Sequence, residues 1–319
     1  MNEKNIDLLI KKLESLHNGE EALKALIDFG ESAIEPLRKF LIEGKPVVTY
    51  QSRQIAVRAL SALGAKEVLM EYLQLRREIS DPAVKLSEEA VKITAARELV
   101  KWREPEVIEL MMELIKEHPQ PGVIDTLGEF KVEEAIPYFI KALEDDICHR
   151  SAKEALRKAG VKAMNALIET AILPLPSQTQ ESSSSKQRRA SALELLAELP
   201  IDNKIWNKLK KCLYEDEPSI VVATASIAAR AGMRKDKNEV AKRLVNLIPS
   251  ANGFLQTQIA YCLIELYNDI SAFLKAEIKR RFNLQGQNKK IDESLQILLW
   301  VIRHKEPDYI KQIDKNITY

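Results

Sequence analysis

Glycine and proline are scarce in this chain, 10 and 13 among 319 residues, a little over half the ~12% usual in soluble proteins. That scarcity excludes collagen-like and low-complexity classes. With 45% hydrophobic and 30% charged residues, a disordered chain is excluded as well. Aromatics make up only 6%. Three cysteines, Cys148, Cys212 and Cys262, are widely spaced and odd in number, so they form no disulfide framework and argue for reduced thiols in a cytoplasmic setting. Long apolar runs are missing: Ile297 to Ile302 is among the longest, where a membrane span needs about 20 residues. The opening MNEKNIDLLIKKL threads charges through its apolar positions and lacks the continuous apolar block of a secretory signal.

Reactive constellations are also lacking. His17, His118, His149 and His304 have no second histidine or cysteine at i+3 or i+4, and no Cys-x-x-Cys occurs, so no metal site is expected. Phosphate-binding and nucleophile-elbow motifs are absent. Cys148 and His149 are adjacent, but neighbours on a helix point about 100° apart and do not face one another. All three cysteines read as small packed hydrophobes. The expectation is a chain that is not an enzyme and carries no cofactor.

What is present is repetition. The spacing Ala-x-x-Ala-Leu-x-x-x-Gly recurs at Ala22–Gly30, Ala56–Gly64 and Ala152–Gly160. Residues three and four apart share a helix face. Two alanines there admit a close neighbour, leucine fills the core, and a glycine four residues on can take the left-handed conformation that ends a helix. Degenerate copies begin at Ala95, Gln120, Ala192, Thr224 and Ala260, and the eight anchors average 34 residues apart. After each stop a second apolar helix follows at i, i+3, i+4 spacing, as in Ile136, Phe139, Ile140 and Leu143. A hairpin of this size cannot bury its apolar face alone, so successive hairpins must stack. The three tryptophans divide: Trp206 and Trp300 stand in apolar stripes and read as core, whereas Trp102 ends a helix and reads as partly exposed.

The best copy, Leu143-Glu144-Asp145-Asp146 leading to Arg150, Ala152, Ala155, Leu156 and Gly160, together with Ala33-Ile34-Glu35-Pro36-Leu37 and Ala135-Ile136-Pro137, resembles HEAT repeats, particularly the phycobilisome-lyase HEAT-like kind. The resemblance covers most of residues 19–284. Asp146 and Asp216 fit caps before first helices. The fold expected is all-α, a right-handed α-solenoid of about eight or nine HEAT-like helical hairpins running as one array over 1–319. Residues 1–18 are expected as an N-terminal capping helix and 285–319 as a closing region. The Ser/Pro-rich stretch 174–186 reads as a flexible inter-repeat loop, or as a mobile lid or modified serine tract.

Charge is distributed unevenly. Residues 1–160 hold 24 Lys/Arg against 29 Asp/Glu, and 161–319 hold 24 against 18. Lys204, Lys208, Lys211, Lys242, Lys275 and Lys279 fall on the second helices of later repeats, and Glu106, Glu109, Glu113 and Glu117 form a stripe on an earlier one. The HEAT resemblance implies that second helices line a concave surface. Either these are solvated faces or they line a groove that steers a partner of complementary charge. The reading that follows is a non-catalytic scaffold or adaptor holding a protein partner in that groove. Nucleic-acid binding through the basic second helices is the alternative, and a bilin-lyase-like chaperone is implied by the repeat's namesake.

Overall fold

The computed structural model describes residues 3–13, 19–176, 180–231, 233–284 and 293–309. Among them every regular element is helical, with no strand. The chain divides into two compact units, Met1–Ala159 and Gly160–Tyr319, where the sequence reads as one array over 1–319.

The first unit holds α1 (Glu3–Lys12), α2 (Gly19–Asp28), α3 (Ile34–Arg38), α4 (Gln51–Ala62), α5 (Lys66–Gln74), α6 (Pro82–Glu98), α7 (Pro105–Glu117), α8 (Pro121–Phe130), α9 (Ile136–Ala142) and α10 (His149–Ala159). The first helices α2, α4, α6, α8 and α10 pack one on the next, and the second helices α3, α5, α7 and α9 each pack on the first helix that follows. The second unit holds α11 (Met164–Ile172), α12 (Ser183–Leu196), α13 (Asn203–Leu209), α14 (Pro218–Arg230), α15 (Lys237–Leu247), α16 (Gly253–Leu284) and α17 (Glu293–Lys305). There α12, α14, α16 and α17 succeed one another, with α11, α13 and α15 as second helices. Each unit is thus an all-α stack of consecutive hairpins.

The repeat motif does what its chemistry requires. Gly30, Gly64 and Gly160 all take positive φ, +65°, +77° and +58°, and the paired alanines Ala56, Ala59, Ala152 and Ala155 are buried. At Gly64 the Ala65 amide donates back to the Leu60 carbonyl at 2.9 Å, closing the end of α4 in the manner of a Schellman motif. The Gln120 copy departs from the pattern. Gly128 lies inside α8, where an added Cβ would stand 2.9 Å from the Ala155 Cα on α10. Its helix stops instead at Lys131, at φ +54°.

A second device recurs three residues before four anchor alanines. Arg53, Lys92, His149 and Arg189 each bond to a carbonyl at the C-terminal end of the preceding second helix: Leu41 at 2.7 Å, Leu75 at 2.6 Å, Leu143 at 2.9 Å and Ala171 at 3.0 Å. The last carbonyls of a helix lack intrahelical partners and form its negative end, so a cation or ring N–H placed there satisfies both needs.

Several expectations shift. Residues 173–176 and 180–182 are non-helical, but α12 begins at Ser183, inside the stretch expected as a loop. Serine is a favoured N-cap, and Ser182 Oγ accepts from the Ser185 amide at 3.2 Å. The rest of that stretch, 177–179, lies outside the described residues, as do 14–18 of the expected N-terminal cap and 285–292 and 310–319 of the closing region. Before α10 the capping carboxylate is Asp145, not Asp146, accepting from the Ile147 and Cys148 amides. Before α14, Glu217 rather than Asp216 holds the cap position. The copy anchored at Ala260 has no stop after its apolar pair: α16 runs for 32 residues, from Gly253 to Leu284. Trp300, expected in the core, is 44% exposed.

Candidate partner-binding surface

Two second helices of the second unit, α13 with its 3-10 extension Lys210–Tyr214, and α15, are tied at two points. Near one end Trp206, buried, donates from Nε1 to Asp236 Oδ2 at 2.6 Å. Near the other, Arg243 donates from Nε to the Leu213 carbonyl at 2.7 Å and from Nη2 to the Glu215 carbonyl at 3.3 Å. Both ties join residues 30 or 28 apart in sequence, so the helices run parallel in fixed register. That register sets Lys211 beside the turn of α15 that carries Lys242.

Lys204, Lys208, Lys211 and Lys242 are all exposed, and none forms an ion pair among the described residues. The i, i+4, i+7 spacing of the first three places them on one stripe. Between Asn203 and Tyr214 there is no carboxylate at all. Tyr214, next to this stripe, is 58% exposed, with the Arg243 guanidinium over its ring at 5.7 Å. Sequence reasoning missed Tyr214, although its place at the end of the lysine-rich turn was the available signal.

The other two lysines are placed differently. Lys275 and Lys279 stand on the long α16, not on a separate second helix. Lys275 is engaged, its Nζ 2.6 Å from Glu306 Oε2 and 4.7 Å from the centre of the Tyr309 ring. Lys279 is exposed. Hydrogen bonds from Lys275 and from Tyr267 hold the Glu306 carboxyl below its ordinary range.

The acidic stripe on α7, in the first unit, is half neutralised. Lys66 donates to Glu106 Oε1 at 2.8 Å and also bonds Glu104, and Arg76 pairs with Glu117. The hydrogen bond from Lys66 is the main cause that lowers the Glu106 carboxyl to about 2. Glu109 and Glu113 stay exposed, without an ion pair among the described residues. An acidic stripe in sequence therefore becomes two free carboxylates in the structure.

An aromatic face lies elsewhere in the second unit. Tyr261 on α16 meets Trp300 on α17 edge to face, ring centres 5.9 Å apart, and His304 stacks on Trp300. Beside them is a cavity of about 310 Å³ lined by Gly253, Thr257, Ala260, Ile297 and Trp300 among others. Trp102 is half-buried, as its place at the end of a helix suggests.

The cysteines are buried, free and apart from one another. Burial pushes the Cys148 thiol up to about 12, and those of Cys212 and Cys262 up to about 11. Among the described residues no three of His, Cys, Asp and Glu gather as metal ligands. No described helix is long and apolar enough to cross a membrane.

No family model matches this chain, and no curated protein matches it. Among the solved structures that resemble it are two engineered proteins from the Northeast Structural Genomics Consortium. One is 18% identical, covering 99% of this chain and 92% of its own, with a TM-score of 0.43. The other is 17% identical, covering 84% of this chain and 98% of its own, with a TM-score of 0.31. Similarity at these levels bears neither on family nor on function.

Proposed function

We propose that this chain is a non-catalytic, HEAT-like scaffold that holds a protein partner against the second helices of its second unit. One observation carries the reading: Lys204, Lys208, Lys211 and Lys242 stand exposed and, among the described residues, without ion pairs, on two helices locked in register by Trp206–Asp236 and Arg243–Leu213. The ties fix the spacing of the two helices, so that a partner need not order them on binding. Membership of the HEAT-like repeats would put these helices on an inner, concave side. Three buried free thiols fit a reducing, cytoplasmic setting.

The same lysines favour nucleic-acid binding as a second reading, since phosphate contacts are made by such side chains. A photo-crosslinking residue at position 208, introduced in the native host, separates the two. The scaffold reading expects one discrete protein adduct, absent when the probe sits at exposed Lys141 in the first unit. A nucleic-acid adduct at position 208, or none, would overturn it.

A further inference from the structure

Resting on the scaffold reading, we infer that the occupant of the α13–α15 face is an acidic protein segment, which lays its carboxylates along the lysine stripe and an apolar side chain against Tyr214. The stripe Lys204, Lys208, Lys211 spans about 10 Å of helix at 1.5 Å per residue. Lys242 adds a fourth cation on the neighbouring helix. Positive charge therefore lies over a short, two-helix patch whose complement is a cluster of carboxylates.

Two observations favour a polypeptide over a nucleic acid. Single strands need open rings on which bases stack, yet Trp206 on α13 is buried. The Tyr214 ring has the Arg243 guanidinium over one face at 5.7 Å, so a single face of a single ring is left, short of the series of rings that successive bases need. Second, Glu239 on α15 is exposed three residues before Lys242. A continuous phosphate backbone would be repelled there, whereas a peptide can set a neutral or basic side chain at that point. Tyrosine held beside a basic rim is also the composition of an interface anchor, apolar in its body and polar at its tip.

The test uses the full chain and a labelled 18-residue peptide carrying glutamates at i, i+4 and i+7 with one leucine beside them. Its neutral glutamine counterpart and a single-stranded oligonucleotide of the same net charge serve as comparisons, all read by fluorescence anisotropy at low salt. Binding of the glutamate peptide is expected to weaken at least tenfold in Lys208→Glu/Lys211→Glu and several-fold in Tyr214→Ala, with Lys85→Glu/Lys141→Glu unchanged. Circular dichroism of each variant confirms that it folds. Equal binding by the charge-reversed and parent proteins, or an oligonucleotide bound more tightly than the peptide, would overturn the inference. A protein adduct from the crosslinking experiment together with a silent peptide assay would sink this partner chemistry and leave the scaffold standing. Failure of both removes the two together.

Discussion

The Arg53 guanidinium, on α4, donates through Nη2 to the carbonyl of Leu41 at 2.7 Å, joining the first helix of one hairpin to the end of the hairpin before it. The same nitrogen faces the Glu88 carboxylate on α6 at 3.3 Å, and Arg77, in the segment between α5 and α6, approaches that carboxylate at 3.7 Å. Three successive hairpins thus meet at one buried ion cluster. Arg77 adds a bond to the Gly44 carbonyl at 2.9 Å. Removing one member of a buried pair leaves the other charge uncompensated, at a cost of about 3 kcal/mol. Arg53→Met should lower the stability of the first unit by that order in urea unfolding. Arg53→Met/Glu88→Leu should recover part of it, because two charges and their desolvation leave together. A double variant no better than the single one would show that the carbonyl bonds dominate.

Helix α8 makes opposite demands of two residues. At Gly128 a Cβ would sit 2.7 Å from the Ala155 Cβ, so Gly128→Val must push α8 and α10 apart. A loss of about 1–3 kcal/mol is expected, as for other overpacked sites. Lys131 holds a left-handed conformation at φ +54°, which costs a side-chain-bearing residue about 1 kcal/mol. Lys131→Gly should therefore raise the melting temperature. Calorimetry on both variants checks the pair.

Thiol chemistry gives a third prediction. With the Cys148 thiol pushed up to about 12 by burial, it stays protonated and unreactive at pH 8. None of the three cysteines should react with iodoacetamide over an hour in the native protein, and all three should react in urea. Mass spectrometry counts the adducts.

Acid should weaken the first unit through Glu106. Its carboxyl lies at about 2 in the folded protein against an ordinary 4.5, so the proton binds the unfolded chain first. The contribution is present in full above about pH 4.5 and disappears as pH falls from there towards 2. Glu106→Gln should flatten stability against pH across that window while leaving the slope above pH 6 as it was. Urea midpoints measured from pH 7 to pH 2.5 decide the matter.

Periodicity alone was sufficient for the helical hairpins, because a stop glycine four residues after an apolar pair acts locally. Gly30, Gly64 and Gly160 are left-handed wherever the motif is complete. The lysine stripe Lys204, Lys208, Lys211 was legible for the same reason, since i, i+4, i+7 spacing fixes a shared helix face whatever lies around it; Lys242 joins it only through the ties between α13 and α15. Lys275 was not. Its engagement with Glu306 spans 31 residues, and only the packing of α17 against α16 brings the two together. Trp300 failed likewise: its stripe is apolar, but Tyr261 and His304 cover it only in part and the side chain stays 44% exposed.

Sequence by itself determined where each helix turns, which faces are apolar and which carry charge, for these follow from the preferences of residues within a few positions of one another. The tertiary structure decided which charges remain free. It spent Glu106 on Lys66 and Lys275 on Glu306, and left Lys204, Lys208, Lys211 and Lys242 open to solvent. An ion pair needs two groups within about 4 Å, and residues thirty or forty apart in sequence meet at that distance only once the hairpins have stacked.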